Sequence, residues 1–206
     1  MFKAILTDLG QVVCTFDRAI MVDNFQTLYP DKDRKILELV LFGPKGPQYL
    51  KKFELGIITP DTYRRDIQAL IGSKHEPSEQ AFWQAHTAMY QANQPVVDLW
   101  RNALEHDPGL RLVAVSDTDP CSLERMLILT GRLFHTITTS YMAGECKPHA
   151  RIFNFALESA GVAAKECFFT DDLLPNVQAA SRLGMATHHY TSPELLAQAL
   201  AEQGLL

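Results

Sequence analysis

Three short apolar runs, each followed by polar residues, constrain the fold more than any other feature of this sequence. The runs occupy residues 4–6, 110–115 and 167–169, and the polar residues that follow them are Asp8, Ser116 and the pair Asp171-Asp172. Because the runs do not alternate with polar residues, they are typical of strands buried on both faces, as in a parallel sheet covered by helices. Weaker strand candidates occupy residues 134–138 and 185–190.

Helical patterns separate these strands, at residues 119–130, 149–160, 175–183 and 192–203. Pro175 suits a first helical turn, and Gly161 and Gly184 suit helix ends. Strand alternating with helix predicts an α/β fold with a doubly wound parallel sheet. Such sheets bind ligands outside the carboxyl ends of their strands, so we expect the polar residues after the three apolar runs to form a site.

Residues 17–94 interrupt the alternation. They contain helical stretches separated by turn signals and no convincing strand, which predicts a helical insertion after the first strand. The predicted domains are therefore an α/β core at residues 1–16 plus 95–206 and a helical cap at residues 17–94. A cap in this place would cover the carboxyl ends of the strands as a lid.

Composition excludes several classes of protein. With 206 residues the chain suits one domain with an insertion, and its formal net charge of -5 without a basic run argues against a nucleic-acid partner. No segment reaches about 18 consecutive apolar residues, so no membrane span is expected. Four scattered cysteines without a CxxC pair favour a reducing compartment, and we expect a cytoplasmic protein. The oligomeric state cannot be read from the sequence.

Asp8 and Ser116 each allow a structural and a chemical interpretation. An aspartate after a strand often only forms a turn, but it can also attack as a nucleophile and divide a hydrolysis into two easier steps. Ser116 could cap the next helix, as could Asp117 or Asp119. Its hydroxyl could instead donate to a phosphoryl oxygen, together with backbone N–H groups at the helix start.

Lys147 and the pair Asp171-Asp172 supply the charges that such an attack needs. Lys147 precedes Pro148, which places it at the start of a predicted helix, where its ammonium could neutralise both a carboxylate and a phosphoryl group. Two adjacent acids after a buried strand require a cap, a partner or a cation. Carboxylate oxygens are ligands that Mg²⁺ prefers, so the pair is a candidate metal site.

Four segments in this order resemble the four motifs of the haloacid dehalogenase-like hydrolase superfamily. They are TDLGQVV, AVSDT, CKPHARIF and FFTDDLLPNVQAA, and the resemblance covers essentially the whole chain. It points to the branch with a helical cap and a DLG first motif, which is similar to sugar phosphatases. The segment 53–59 also looks like a cap segment of that branch.

The resemblance implies a role for each matching residue. Asp8, Ser116 and Lys147 would be catalytic, with Asp8 as nucleophile, and Ser116, Asp117 and Lys147 would bind the substrate. The implied ligands of Mg²⁺ are Asp8, Gly10 through its backbone carbonyl, Asp171 and Asp172.

Two residues depart from the motifs of this family. Its phosphatases usually carry a second aspartate two residues after the nucleophile, as general acid and base, and here that position is Gly10. Loss of such a group typically slows a reaction by about 10²–10⁴-fold. We therefore expect either a substrate with a good leaving group or another residue that carries the proton. Asp117 stands where asparagine is common, and its charge would disfavour a nearby phosphate unless it points away or is neutralised.

The predicted function is a Mg²⁺-dependent phosphatase that acts on a small phosphorylated metabolite, with a sugar phosphate as one candidate, through a phospho-aspartate on Asp8. A dehalogenase-type hydrolase is the first alternative, because a halide needs neither metal nor proton donor; the Asp171-Asp172 pair argues against it. The second alternative is a catalytically weakened binding protein, in which Gly10 and Asp117 mark decay.

Overall fold

A parallel sheet forms the centre of the molecule in a computed structural model that describes residues 1–44 and 46–206. The strands of the described residues are β1 (Ala4–Thr7), β2 (Cys14–Phe16), β3 (Tyr90–Ala92), β4 (Arg111–Ser116), β5 (Thr136–Thr139), β6 (Cys167–Asp171) and β7 (Ala186–His189). Five of them form one sheet in the order β5-β4-β1-β6-β7, with every neighbouring pair parallel. All five strand candidates of the sequence are confirmed.

Helices cover the sheet and fill the segment between β2 and β3. They are α1 (Arg18–Leu28), α2 (Arg34–Phe42), α3 (Gly46–Glu54), α4 (Pro60–Ile71), α5 (Glu79–Thr87), α6 (Gln94–His106), α7 (Pro120–Leu129), α8 (Ser140–Ala143), α9 (Ala150–Ala160), α10 (Leu174–Arg182) and α11 (Pro193–Glu202). A 3-10 turn spans Ala164–Glu166. The four expected helices correspond to α7, α9, α10 and α11, whereas α6 was not anticipated.

Alternate residues of each central strand enter different hydrophobic cores. In β1, Ile5 packs with the cluster that contains Trp100 of α6, while Leu6 packs with the cluster that contains Phe153 of α9. Side chains of a strand point to opposite faces in turn, so these two clusters lie on the two faces of the sheet. The doubly wound α/β sheet expected from the sequence is therefore confirmed.

The segment from α1 to α5 has a hydrophobic cluster of its own. Phe25, Phe53, Tyr63 and Phe82 are buried in it, and Phe53 stacks on Tyr63 at 4.9 Å between ring centroids. The domain bounds at residues 16/17 and 94/95 remain a prediction.

The expectation that residues 17–94 contain no strand is wrong. Tyr90–Ala92 forms β3 and pairs antiparallel with β2, with Cys14 opposite Ala92 and Phe16 opposite Tyr90. A strand of three residues is too short to show the alternation of side chains by which strands are recognised in a sequence. This two-stranded ribbon is where the chain leaves the core and returns to it.

No helix in residues 1–44 and 46–206 is long and apolar enough to cross a membrane. All four cysteines are free thiols.

Candidate active site

The carboxyl ends of three neighbouring strands bring the predicted polar residues to one edge of the sheet. Thr7, the last residue of β1, is in register with Ala114 of β4 and with Thr170 of β6. Asp8 follows β1 directly, Ser116 ends β4 and Asp171 ends β6, so the three side chains lie at similar heights. All three residues are buried.

Lys147 lies between two of these acids. Its Nζ is 2.8 Å from Oδ1 of Asp8 and 2.7 Å from Oδ2 of Asp171, and the residue is buried. Burial alone would lower the pKa of Lys147, but the carboxylates of Asp8 and Asp171 raise it above its ordinary value. The ammonium group is therefore charged at neutral pH and joins the ends of β1 and β6.

Asp117 positions Lys147, which gives a physical reason for the aspartate that the sequence left unexplained. Its Oδ1 accepts a hydrogen bond from the backbone N–H of Lys147 at 3.1 Å. Burial raises the pKa of the Asp117 carboxyl, and the positive charge of Lys147 opposes that rise. Lys147 thus partly neutralises the charge of Asp117 within the protein. Asp117 also lines the cavity of the site.

Asp171 and Asp172 have different surroundings. Asp171 is fully buried, and its Oδ1 accepts hydrogen bonds of 2.9 Å from the backbone of Leu173 and from the side chain of Asn176. With Lys147 on Oδ2, both oxygens already have protein partners. Asp172 is only partly buried and lines the cavity, and both burial and the charge of Asp171 raise its pKa.

The acids of the site fit a divalent cation. One carboxylate oxygen from each of Asp8, Asp171 and Asp172 lies within 4.8 Å of the others. Burial raises the pKa of Asp8 to about 7, and the opposing charge of Lys147 does not cancel that rise. Three acids with one lysine leave an excess of negative charge in a poorly solvated place, and oxygen donors of this kind suit Mg²⁺.

A small cavity opens on these residues. Its volume is about 180 Å³, and its lining includes Asp8, Gly10, Ser116, Lys147 and Asp172. The structure thus brings together the predicted site residues Asp8, Gly10, Ser116, Asp117, Lys147 and Asp172 around one space. Asp171 is not part of this lining, but one of its oxygens lies within 4.8 Å of the acids Asp8 and Asp172, and Lys147 contacts it.

Two residues of the inserted helices that have no predicted role contact the core. Glu54, at the end of α3, lines a cavity next to Ser116, and its backbone carbonyl accepts a 2.5 Å hydrogen bond from Ser140 of the core. His86 of α5 is buried with its Nε2 3.8 Å from Oδ2 of Asp119. Their place in a segment that resembles a cap was the available signal, but no local pattern shows which residues of a cap face inward.

Comparison with protein families identifies a match over most of the chain. A model described as "haloacid dehalogenase-like hydrolase" matches residues 2–184. The family expected from the four sequence motifs is thereby confirmed.

Two curated relatives match nearly the full chain. The D-ribitol-5-phosphate phosphatase of Bacteroides thetaiotaomicron is 27% identical over 202 residues, which cover 91% of this chain and 91% of that protein. The sesquiterpene phosphatase astK of Aspergillus oryzae is 25% identical over 190 residues, covering 92% of this chain and 90% of that protein. A third relative, acyl-CoA dehydrogenase family member 10 of Mus musculus, is 35% identical over 71 residues, which are 34% of this chain and only 7% of that protein.

Solved structures show the same fold. A HAD family enzyme from Bacteroides thetaiotaomicron matches with a TM-score of 0.75 at 23% identity, covering 92% of this chain and 94% of that one. The wild-type form of that enzyme, in complex with magnesium and inorganic phosphate, matches with a TM-score of 0.73 at 24% identity, covering 93% and 95%. At these identities the likeness concerns the fold.

Proposed function

The chain belongs to the haloacid dehalogenase-like hydrolase family, and we propose that it is a Mg²⁺-dependent phosphatase of a small phosphorylated metabolite. The observation that carries the proposal is the group formed by the buried Asp8, Lys147 and Asp171 with the partly buried Asp172 at the carboxyl edge of the sheet. A nucleophilic carboxylate, a fixed cation and acids for a metal are the parts that phosphoryl transfer through an aspartate needs.

Asp8 is the nucleophile of this proposal. Its Oδ1 accepts a 2.7 Å hydrogen bond from the backbone of Leu9 and faces Lys147, while its Oδ2 accepts no hydrogen bond from the described residues. In the first step an oxygen of Asp8 forms a bond to phosphorus, the bond to the ester oxygen breaks, and that oxygen takes one proton from solvent water and leaves as the alcohol. In the second step water attacks the phosphorus of the aspartyl phosphate, the bond from phosphorus to the Asp8 oxygen breaks, and phosphate, the free carboxylate and one proton released to solvent result.

Ser116 and Lys147 hold the phosphoryl group in place. Ser116 lines the cavity beside Asp8, where its hydroxyl can donate to a phosphoryl oxygen. Lys147 keeps a positive charge next to the nucleophile and reduces the repulsion between two anions. Because the chain has Gly10 in place of a second aspartate, it offers no carboxyl there to protonate the alcohol.

Asp8, Asp172 and the carbonyl of Gly10 would hold Mg²⁺, since they line one cavity and Asp172 is the acid with fewer protein partners. Asp171 would act through Lys147 and the hydrogen bonds it accepts. A bound Mg²⁺ supplies positive charge that polarises the phosphoryl group. Support for this choice of ion and reaction comes from the two phosphatases among the relatives and from the related structure in complex with magnesium and inorganic phosphate.

The proposal is tested by hydrolysis of p-nitrophenyl phosphate with and without Mg²⁺. We expect turnover that requires Mg²⁺ and falls by about 10³-fold or more in Asp8→Asn, because that variant removes the nucleophile and keeps its shape. Asp98→Asn, an exposed aspartate of α6, is the matched control and should retain wild-type turnover.

Three results would contradict the proposal. Turnover that survives Asp8→Asn would exclude a phospho-aspartate on that residue. Release of halide from 2-haloacids without metal would support the dehalogenase alternative. Binding of phosphate esters without turnover would support a catalytically weakened binding protein.

A further inference from the structure

A second, larger cavity continues from the reaction site. Its volume is about 330 Å³, within the range of small-molecule sites, and it shares Gly10, Phe16, Ser116 and Asp117 with the cavity around Asp8. A phosphate bound at Asp8 would therefore have the rest of its substrate beside it in this space, which we name the leaving-group cavity.

The walls of the leaving-group cavity are mostly carbon. They come from the inserted helices on one side and from β3 and the core on the other, and among the described residues they include Leu41, Phe42, Leu50, Met89, Tyr90 and Met126. Phe16, at the junction of the two cavities, packs edge-on against Tyr90 with 6.0 Å between ring centroids. Surfaces of this kind gain free energy when they exclude water from an apolar ligand.

The polar side chains of this lining belong to Arg18, Glu54, Tyr90 and Thr118, beside Ser116 and Asp117 of the reaction site. Burial raises the pKa of the Glu54 carboxyl to about 8, so this acid is largely uncharged at neutral pH. Arg18 is exposed, and its guanidinium lies 5.0 Å from the centre of the Phe42 ring. A sugar placed here would exchange hydrogen bonds with water for contacts with carbon, which is unfavourable for each unpaired hydroxyl.

We infer that the leaving-group cavity binds a compact apolar alcohol, so that the substrates are phosphate monoesters of hydrophobic alcohols and not of sugars. This inference rests on the proposed phosphatase function, and it differs from the sugar phosphate that the sequence resemblance gives as one candidate. The cavity lining, not the reacting group, is what selects the substrate.

The inference is tested by the binding of n-alkylphosphonates from butyl to decyl in the presence of Mg²⁺, since their C–P bond cannot be hydrolysed as an ester. We expect Kd to fall by about fourfold for each added methylene until the cavity is full, which corresponds to about 0.8 kcal/mol per buried methylene. Calorimetry should also show a negative heat-capacity change, the marker of apolar burial. A Kd that does not depend on chain length would overturn the inference.

A pair of leucine variants locates the binding to this cavity. Leu50→Gln places an amide in the cavity wall and should weaken the binding of hexylphosphonate by about tenfold. Leu39→Gln makes the same change on the exposed surface of α2, outside this cavity, and should leave the affinity within about twofold of wild type. Equal affinities of wild type and Leu50→Gln would overturn the assignment.

Hydrolysis of two six-carbon esters separates this inference from the proposed function. We expect n-hexyl phosphate to have a higher kcat/KM than glucose 6-phosphate. Turnover that requires Mg²⁺ and Asp8 but favours glucose 6-phosphate would overturn the inference and leave the phosphatase. If neither ester nor p-nitrophenyl phosphate is hydrolysed while phosphonate affinity still rises with chain length, the phosphatase fails and the apolar binding site stands.

Discussion

At the scale of single residues, the site is organised by the contacts between Lys147 and the surrounding acids. Asp8 and Asp171 contact the ammonium group of Lys147, and Asp117 accepts a hydrogen bond from its backbone N–H, so three acids from separate parts of the chain hold one lysine. Leu173 and Asn176 use the remaining oxygen of Asp171. Of the two adjacent acids, Asp172 is therefore the one that lines the cavity.

Glu54 allows a prediction about pH. The unfolded chain releases this proton near pH 4.5, whereas burial raises the pKa in the folded protein to about 8 and the charges of Asp119 and Asp117 contribute. The folded state therefore holds more protons between these values, and stability is lost as the pH rises from about 4.5 to 8. Glu54→Gln, which cannot ionise, should gain stability relative to wild type over that interval, by at most about 1.4 kcal/mol per pH unit.

Urea unfolding of both proteins at pH 5.5, 7 and 8.5 measures this difference. Glu105→Gln, which removes an exposed carboxyl of α6, is the matched control. If Glu54→Gln behaves in the same way as Glu105→Gln, Glu54 ionises normally in the folded protein.

At the scale of elements, the start of α7 is where the inserted helices meet the core. Oδ1 of Asp119 accepts hydrogen bonds of 2.9 Å from the backbone N–H groups of Cys121 and Ser122 and so caps the helix. Its Oδ2 faces His86 of α5. Burial alone would raise the pKa of Asp119, but His86 and the hydrogen bonds from Ser122 hold it below its ordinary value. Asp119 therefore both caps α7 and contacts the inserted helices.

Two substitutions at Asp119 separate these roles. Asp119→Ala removes cap and charge and should lower the free energy of unfolding by more than the roughly 1 kcal/mol typical of a lost cap. Asp119→Asn keeps a good cap and removes the charge, so it should cost less than Asp119→Ala. Urea unfolding measures both, and equal losses in the two variants would show that capping contributes nothing here.

Elements also differ in how far local sequence predicts them. The strands before Asp8, Ser116 and Asp171 were predicted because fully buried strands are continuous apolar runs. Helix α6 was missed, although its buried residues Val96, Val97, Trp100 and Ala103 have helical spacing. The strand Tyr90–Ala92 had no readable pattern, because its pairing with β2 comes from a segment more than 70 residues away in sequence.

At the scale of the whole molecule, a cation that fits the site should stabilise the fold. Mg²⁺ at 100 times its Kd would add about 2.7 kcal/mol if it binds only the folded state. For a chain of this length that corresponds to a rise in Tm of roughly 5–10 °C. Thermal unfolding in EDTA and in excess MgCl₂ measures the rise.

The response to Mg²⁺ should depend on the acids of the site. Asp172→Asn should lose most of the rise in Tm, because it removes the acid that faces the cavity, while Asp98→Asn should retain it. An equal rise in Asp172→Asn and wild type would exclude Asp172 as a ligand of the ion.

The alternation of strands and helices, the family and the order of the chemical groups follow from local sequence, because periodicity and strand-end residues are properties of neighbouring positions. The roles of Asp8, Ser116, Lys147 and the two adjacent acids stay predictions, although the structure places these residues together. Only the tertiary structure decided three other features. They are the partner of Asp117, the different surroundings of Asp171 and Asp172, and the approach of Glu54, His86 and Leu50 to the core. The physical reason is that these contacts join segments far apart in sequence, and the packing of one hydrophobic cluster against another leaves no periodic signature in either segment.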